Sequence, residues 1–600
     1  MFTTRPELVG TRGMVGSTHW LASSAAMAVL EDGGNAFDAA VAGGLVLQVV
    51  EPHLNGPGGE VPAVFAPAAD RTPRVLCGQG VAPAAATTAH FAGLGLKLIP
   101  GTGLLPATVP GAWDGWLTLL RDYGTKTLRE VLGYAIGYAA DGYPMVERAT
   151  ETIGAVAELF TGHWPTSAAM WLDGGKPVHT KHRNPTLART WQRLLGEAEA
   201  AGGSREAQID AARRAWSQGF VAEAVDRFCR DAYRDDSGAE HAGLLTGQDM
   251  ASWQASYEDP ITFPFGGYTV AKIGIWSQGP VLAQQLLMLE RFRDELSYMD
   301  GVPTARTVHL ATECAKLAFA DREAHYGDAA QVSVDDLLSP GYAAQRASLI
   351  SEEASLRLRP GSPDGREPVL PSYVERGRGV RAEQDAVAVA MGGVGEPTVG
   401  REGQTRGDTV HIDVVDADGN MISATPSGGW LQSSPTIPEL GFCLGTRGQM
   451  FWLDEGLPAS LSPGKRPRIT LSPSLALCGG EPVMAFGTPG GDQQDQWQIC
   501  FLLAYTLGEA NLQAAIDSPG WHTAAIPSSF YPRGWQPGEL VVESRLGERV
   551  ICELEERGHY VVDSGPWSLG RMSAVRRDPA AGLLYAAANP RGAQGYAVGR

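Results

Sequence analysis

Apolar positions recur at helical spacing through residues 22–32, 128–141, 206–233 and 304–325, and each stretch predicts a helix with one face in a core. In the first third these helices are separated by glycine-rich turns, Gly33-Gly34-Asn35 and Gly56-Pro57-Gly58-Gly59. A second period appears later in the chain. Residues 410–415 alternate apolar and polar side chains, DADGN at 416–420 supplies a turn, and residues 421–425 return, which predicts a β-hairpin.

Between the two regimes lies a stretch with neither period. Residues 351–408 are rich in Gly, Pro and charge (RLRPGSPDGREP, ERGRGVRAEQ, GGVGEPTVGREGQTRGD) and read as a long flexible, exposed linker. A core strand therefore starts where a linker ends. No internal repeat is present.

Composition narrows the class. The 600 residues are 44% hydrophobic and 19% charged, an ordinary globular balance that excludes general disorder. Acidic residues exceed basic ones, 67 to 48, giving a net charge of −19, and no basic cluster is interleaved with aromatics. Phosphate backbones are repelled by such a surface, so nucleic acid is excluded as a partner. The opening MFTTRPELVGTRGMVGSTHW lacks the apolar core of a secretory signal, and the apolar stretch near residues 39–50 is too short to span a bilayer. No membrane association and a cytoplasmic location are expected. Seven scattered cysteines without a Cys-x-x-Cys pair argue for reduced core thiols rather than a disulfide framework.

The chemistry sits at the junction of linker and hairpin. GDTVHIDVVDADGNMISATPSGG resembles the processing site and following hairpin of the γ-glutamyltranspeptidase superfamily of N-terminal-nucleophile hydrolases. The resemblance runs through most of the chain, in the same order: GMVGSTHWLASSAAMAVLEDGGNAFDAAVAGGLVLQVVEPHLNGPGGE, VPGAWDGWLTLLRDYGTKTL, GGYTVAKIG, KLAFADREAHYGD, GKRPRITLSPSL and GTPGGDQQ. It implies a precursor that cuts itself between Asp408 and Thr409. Residues 1–408 would become a large subunit and 409–600 a small one, interleaved in one domain. The implied fold is α+β, a four-layer α/β/β/α sandwich.

The resemblance also assigns roles. Thr409 would be the nucleophile, with its freed α-amino group as base, because a threonine hydroxyl is a weak nucleophile at neutral pH. Ser427 and Thr425 fall where hydroxyls support the amine and the nucleophile; two residues apart on one strand, they project to one face. Gly490 and Gly491 match the glycine pair whose N–H groups stabilise the oxyanion. His411 is expected to be structural. No cofactor and no metal are implied, and no His/Cys/Asp cluster has ligand spacing.

The recognition residues depart from the pattern. Gln79 stands where an arginine holds the substrate α-carboxylate, and Met450, beside Gln449, stands where an aspartate holds the α-amino group. Ile469 and Thr470 replace a serine pair, and Gly429 replaces an asparagine. Each lost charge-assisted bond costs about 1.5–3 kcal/mol. The expected substrate is a small non-glutamyl amide, recognised by Gln79, Gln449, Met450, Thr470 and Trp430, as in oxamate amidohydrolases and cephalosporin-type acylases. Alternatives are C–C bond hydrolysis, true γ-glutamyl transfer anchored by Arg447 or Arg468, and an unprocessed binding homologue. The expected partners are the substrate and the two halves of the precursor, with a higher oligomer left open.

Overall fold

The structure, a computed structural model, describes residues 3–178, 181–381, 400–401 and 409–600, with the side chain of Ala593 excepted. Its frame is two seven-stranded sheets in which every strand pairs antiparallel. The first runs Ser256–Glu258, Arg74–Gly78, Val61–Ala66, Met421–Ala424, Ile412–Asp416, Gly13–Ser17, Tyr596–Gly599. The second runs Leu8–Gly10, Leu583–Ala588, Ser573–Asp578, Glu481–Gly487, Ser474–Cys478, Tyr268–Lys272, Ile261–Phe265. Each sheet draws strands from both sides of residue 408.

Side-chain alternation shows what each face touches. In the first sheet Val15, Phe65, Ile412, Val414 and Ile422 join a cluster with helices Ala36–Val50 and Ala112–Tyr123. Met14, Val64, Val415 and Met421, on the other face, meet Ala271, Leu475, Ala485 and Val575 of the second sheet. Val270, Ala476, Met484 and Phe486 turn away into a cluster with helices Gly279–Leu289, Ala305–His325 and Gln494–Thr506.

Helix Leu128–Asp141 matches its sequence reading, and Thr127 with Glu130 forms the capping box that starts it. Residues 206–233, read as one helical stretch, divide into helices Arg205–Ser217 and Phe220–Cys229 and a strand Ala232–Arg234. Gly219 makes the break: its backbone leaves helical geometry at φ −108°, ψ −149°. Residues 351–381, read as part of an exposed linker, carry no long element but are docked. Ser355 N donates to Glu313 (3.2 Å), Gly361 N to Asp321 (2.7 Å), Ser372 N to Asp454 (2.8 Å), and Trp535 Nε1 to the Val374 carbonyl (2.9 Å). These contacts give part of its backbone partners on the body of the protein. All seven cysteines are free; five are buried, whereas Cys478 and Cys552 are exposed rather than in the core.

Candidate active site

The hairpin forms as strands Ile412–Asp416 and Met421–Ala424, with Gly419 at φ +96° in the turn. Its even positions enter the helical cluster, so its odd positions, 411, 413, 415 and 421, 423, 425, 427, project toward the second sheet. This polar face is fully buried: Thr409, His411, Asp413, Ser423, Thr425 and Ser427 are all 0% exposed. Polar groups buried from bulk solvent need hydrogen-bond partners, and here they find several in one another.

Thr409 begins the hairpin, in an antiparallel bridge with Ser427, and the two hydroxyl oxygens lie 3.2 Å apart. His411 Nδ1 meets Thr425 Oγ1 at 2.8 Å, and its Nε2 meets Asp413 Oδ1 at 2.9 Å. Ser573 of the second sheet donates to Asp413 Oδ2 (2.7 Å), and Gly487 lies so close that a Cβ there would be 2.3 Å from the His411 ring. His411 thus links Thr425 to Asp413, which Ser573 of the second sheet holds. Three residues beyond Gly487, Gly490 (φ +128°) and Gly491 (φ +56°) make the turn into helix Gln494–Thr506. A Cβ on Gly490 would lie 2.0 Å from Trp497, so backbone and space both demand glycine. Asp408, the other half of the expected cleavage site, lies outside the described residues.

On the other side of Ser427 stands Arg447. Its Nη2 donates to Ser427 Oγ at 2.6 Å and its Nε to Glu60 Oε1 at 2.6 Å. Arg447 is 1% exposed, and its guanidinium lies over Trp430 (5.0 Å to the ring centre) and Phe530 (5.9 Å). Burial pushes the Glu60 carboxyl up from its ordinary range, against the pull of Arg447. Glu60 closes the run Gly56-Pro57-Gly58-Gly59, whose backbone passes so near the hairpin that a Cβ on Gly59 would be 2.0 Å from the Ser427 carbonyl. The glycines therefore serve close approach, and Glu60 is the residue that approach delivers.

The expected recognition residues separate into two groups. Trp430 and Met450 do reach this corner: Trp430 Nε1 is fixed on the Leu54 carbonyl (2.9 Å), and Met450 Sδ is 4.0 Å from Arg447 Nη1. Gln449 is committed elsewhere, accepting from Tyr531 N (3.0 Å) and donating to the Gly101 and Thr446 carbonyls. Gln79 is fully buried and donates to the carbonyl of its neighbour Gly80 (2.9 Å), and Thr470 is buried with its hydroxyl lacking a hydrogen-bond partner among the described residues. Neither makes a hydrogen bond to Thr409 or Ser427 in the structure. Glu60, Asp413 and Ser573 were missed by sequence reasoning; a lone acid closing a glycine run and an acid on the polar face of a buried strand were the signals.

The model of the gamma-glutamyltranspeptidase family matches residues 22–599. The chain is 30% identical to the oxamate amidohydrolase proenzyme of Klebsiella pneumoniae, over 98% of this chain and 99% of that one. Among solved structures it resembles LmbA2991HD (57% identity, TM-score 0.92, all of both chains). It also resembles cephalosporin acylase from Bacillus halodurans (26% identity, TM-score 0.81, 100% of this chain and 97% of that one). The chain belongs to the gamma-glutamyltranspeptidase family. It is an enzyme of that family's N-terminal-nucleophile type, in the amidohydrolase and acyltransferase class.

Proposed function

We propose that this chain is a proenzyme that cleaves itself between Asp408 and Thr409, and that the new N-terminal threonine hydrolyses an amide in a small, non-glutamyl substrate. The observation that carries the reading is the buried corner in which Thr409 Oγ1 lies 3.2 Å from Ser427 Oγ at the start of the hairpin. In self-cleavage the Thr409 hydroxyl attacks the Asp408 carbonyl, the peptide C–N bond breaks to leave an ester and free the Thr409 α-amine, and water hydrolyses the ester to the Asp408 carboxylate and the restored Thr409 hydroxyl. That amine, with an ordinary pKa of about 7.7–8.0, then accepts the hydroxyl proton when Thr409 attacks a substrate carbonyl. Gly490 and Gly491 supply N–H groups to the oxyanion, the substrate's amine takes the proton back from the α-ammonium and leaves, and water hydrolyses the acyl ester on Thr409.

The substrate side of the reading rests on Gln79 and Met450, which offer no charge to a glutamyl zwitterion, and on the amidohydrolase and acylase names of the relatives. The accompanying fold is a four-layer α/β/β/α sandwich, supported by two facing sheets with helical clusters on their outer faces. Cleavage would leave residues 1–408 and 409–600 interleaved, since both contribute strands to both sheets.

The test is mass spectrometry and N-terminal sequencing of the purified full-length protein. Two polypeptides are expected, the smaller starting at Thr409, with Thr409→Ala remaining one inactive chain. A different new N-terminus, or activity in an uncut chain, overturns the threonine reading. Offered to the processed protein, a γ-glutamyl anilide should be a poorer substrate than oxamate-like amides; equal turnover would overturn the non-glutamyl reading.

A further inference from the structure

Arg447 is a buried cation two hydrogen bonds from the nucleophile, and its donors are unevenly used. Nε and Nη2 serve Glu60 and Ser427. Nη1 faces the Met450 thioether at 4.0 Å, a weak and movable acceptor. Trp430 and Phe530, whose ring centres are 6.3 Å apart, both approach the guanidinium from neighbouring directions. A guanidinium only donates, so Ser427 Oγ accepts from Arg447 and its own proton points away from it; Thr409 Oγ1 is in range to receive that proton.

We propose that Arg447 has two tasks in the amide-cleaving reaction, a reading on which this inference rests: it orients the Ser427 hydroxyl toward Thr409, and through Nη1 it binds a carboxylate on the substrate. Met450 swings aside as the carboxylate arrives, and the N–H donors of Nη1 receive it while Nη2 stays on Ser427. The short path from Arg447 to Thr409 sets the position of that carboxylate. It is bonded to the carbonyl carbon itself or to that carbon's immediate neighbour, as in an oxamic or malonamic acid, and not at the far end of a long acyl chain. Glu60 keeps the guanidinium neutralised and aligned while the site is empty.

The experiment compares N-(4-nitrophenyl)oxamic acid with its neutral ethyl ester on the processed protein. Hydrolysis is followed as released 4-nitroaniline, and binding by calorimetry whether or not turnover occurs. The wild type should bind the acid at least tenfold more tightly than the ester. In Arg447→Met that ratio should collapse toward one, and in Arg447→Lys it should recover in part. Through Ser427, kcat should fall for acid and ester alike in Arg447→Met, so the loss in binding is specific to the acid while the loss in kcat is shared. Removing one partner leaves Glu60 buried and unpaired; the double variant Glu60→Gln with Arg447→Met, which removes both charges, should show the same collapse. A wild type without preference for the acid, or a preference that survives in either Met variant, overturns the proposal. The same preparations report self-cleavage on a gel, so a failure of the Thr409 reading is seen separately from a failure of the Arg447 assignment.

Discussion

The two sides of the site treat their polar residues differently. On the proposed acting side, Thr409, Thr425 and Ser427 have the residue types implied by the resemblance and bond to one another, His411 and Arg447. On the recognising side, Gln79 and Gln449 are turned to holding backbone, and Met450 is packed with Trp430, Ile469 and Phe530. Chemistry that needs a hydroxyl at a fixed place tolerates little change. On the proposed reading, a pocket that only has to fit a substrate has lost its charges and uses Arg447 in their place.

The sharpest way to break this contrast is Gly490→Ala. The added methyl meets Trp497 and the residue must hold φ +128°, so the turn proposed to hold the oxyanion has to move. Loss of one oxyanion donor costs about 10²–10³ in kcat. A kcat within about tenfold of wild type, with an unchanged melting temperature, would remove the glycine pair from the acting side. Ser427→Ala should follow, slowing self-cleavage and turnover by about 10-fold to 150-fold, the range of one hydrogen bond to a charged group. An unaffected rate in both would show that Thr409 is oriented without it.

The acting side is also held from behind. Thr18 Oγ1 donates to Glu51 Oε2 at 2.6 Å, Gln594 donates to the other oxygen, and the Thr18 N–H donates to the His411 carbonyl at 3.1 Å. Burial pushes the Glu51 carboxyl up to about 7 from an ordinary 4.5. The folded chain therefore binds this proton more tightly than the unfolded chain does. The stability contributed is complete below about pH 4.5 and is lost as pH rises through about 7, about 3 kcal/mol at most. Urea unfolding of wild type and Glu51→Gln at pH 4.5, 6 and 8 should show the wild type losing ground to the variant as pH rises. Parallel profiles would show that the carboxyl titrates alike in the folded and unfolded chain.

How much of this was legible depends on how far apart the partners lie in sequence. The capping box at Thr127 and Glu130 spans three residues, and the hairpin with its one-sided hydroxyls spans eighteen from Thr409 to Ser427; local pattern finds both. Polar residues alternating along 409–415 would ordinarily mark a solvated face. Here the second sheet covers them, which no local rule reveals. Arg447 and Glu60 are 387 residues apart, so their pairing was invisible even though Arg447 was a candidate anchor by type. Gln449 looked like a recognition group because nothing nearby in sequence shows that Tyr531 claims its oxygen.

The smallest effect is expected where the family pattern seems easiest to restore. Gln79→Arg returns an arginine to the position that lacks one, yet it should raise γ-glutamyl anilide hydrolysis by less than about tenfold, below the range of a well-made charge-assisted bond, about 1.5–3 kcal/mol. Gln79 is 0% exposed, and the next residue is hemmed in: a Cβ on Gly80 would be 1.7 Å from the Val109 carbonyl, so the backbone cannot shift to seat a longer side chain. An unpaired guanidinium there costs several kcal/mol of desolvation, and the substrate ammonium still faces Met450. Adding Met450→Asp should not help. Met450 Sδ already lies 4.0 Å from Arg447 Nη1, so a carboxylate at 450 would be captured by that guanidinium before any substrate amine reached it. A gain of about 10²-fold in kcat/KM from Gln79→Arg alone would mean that the second glutamyl anchor is already present, and that the recognising side has changed less than its residues indicate.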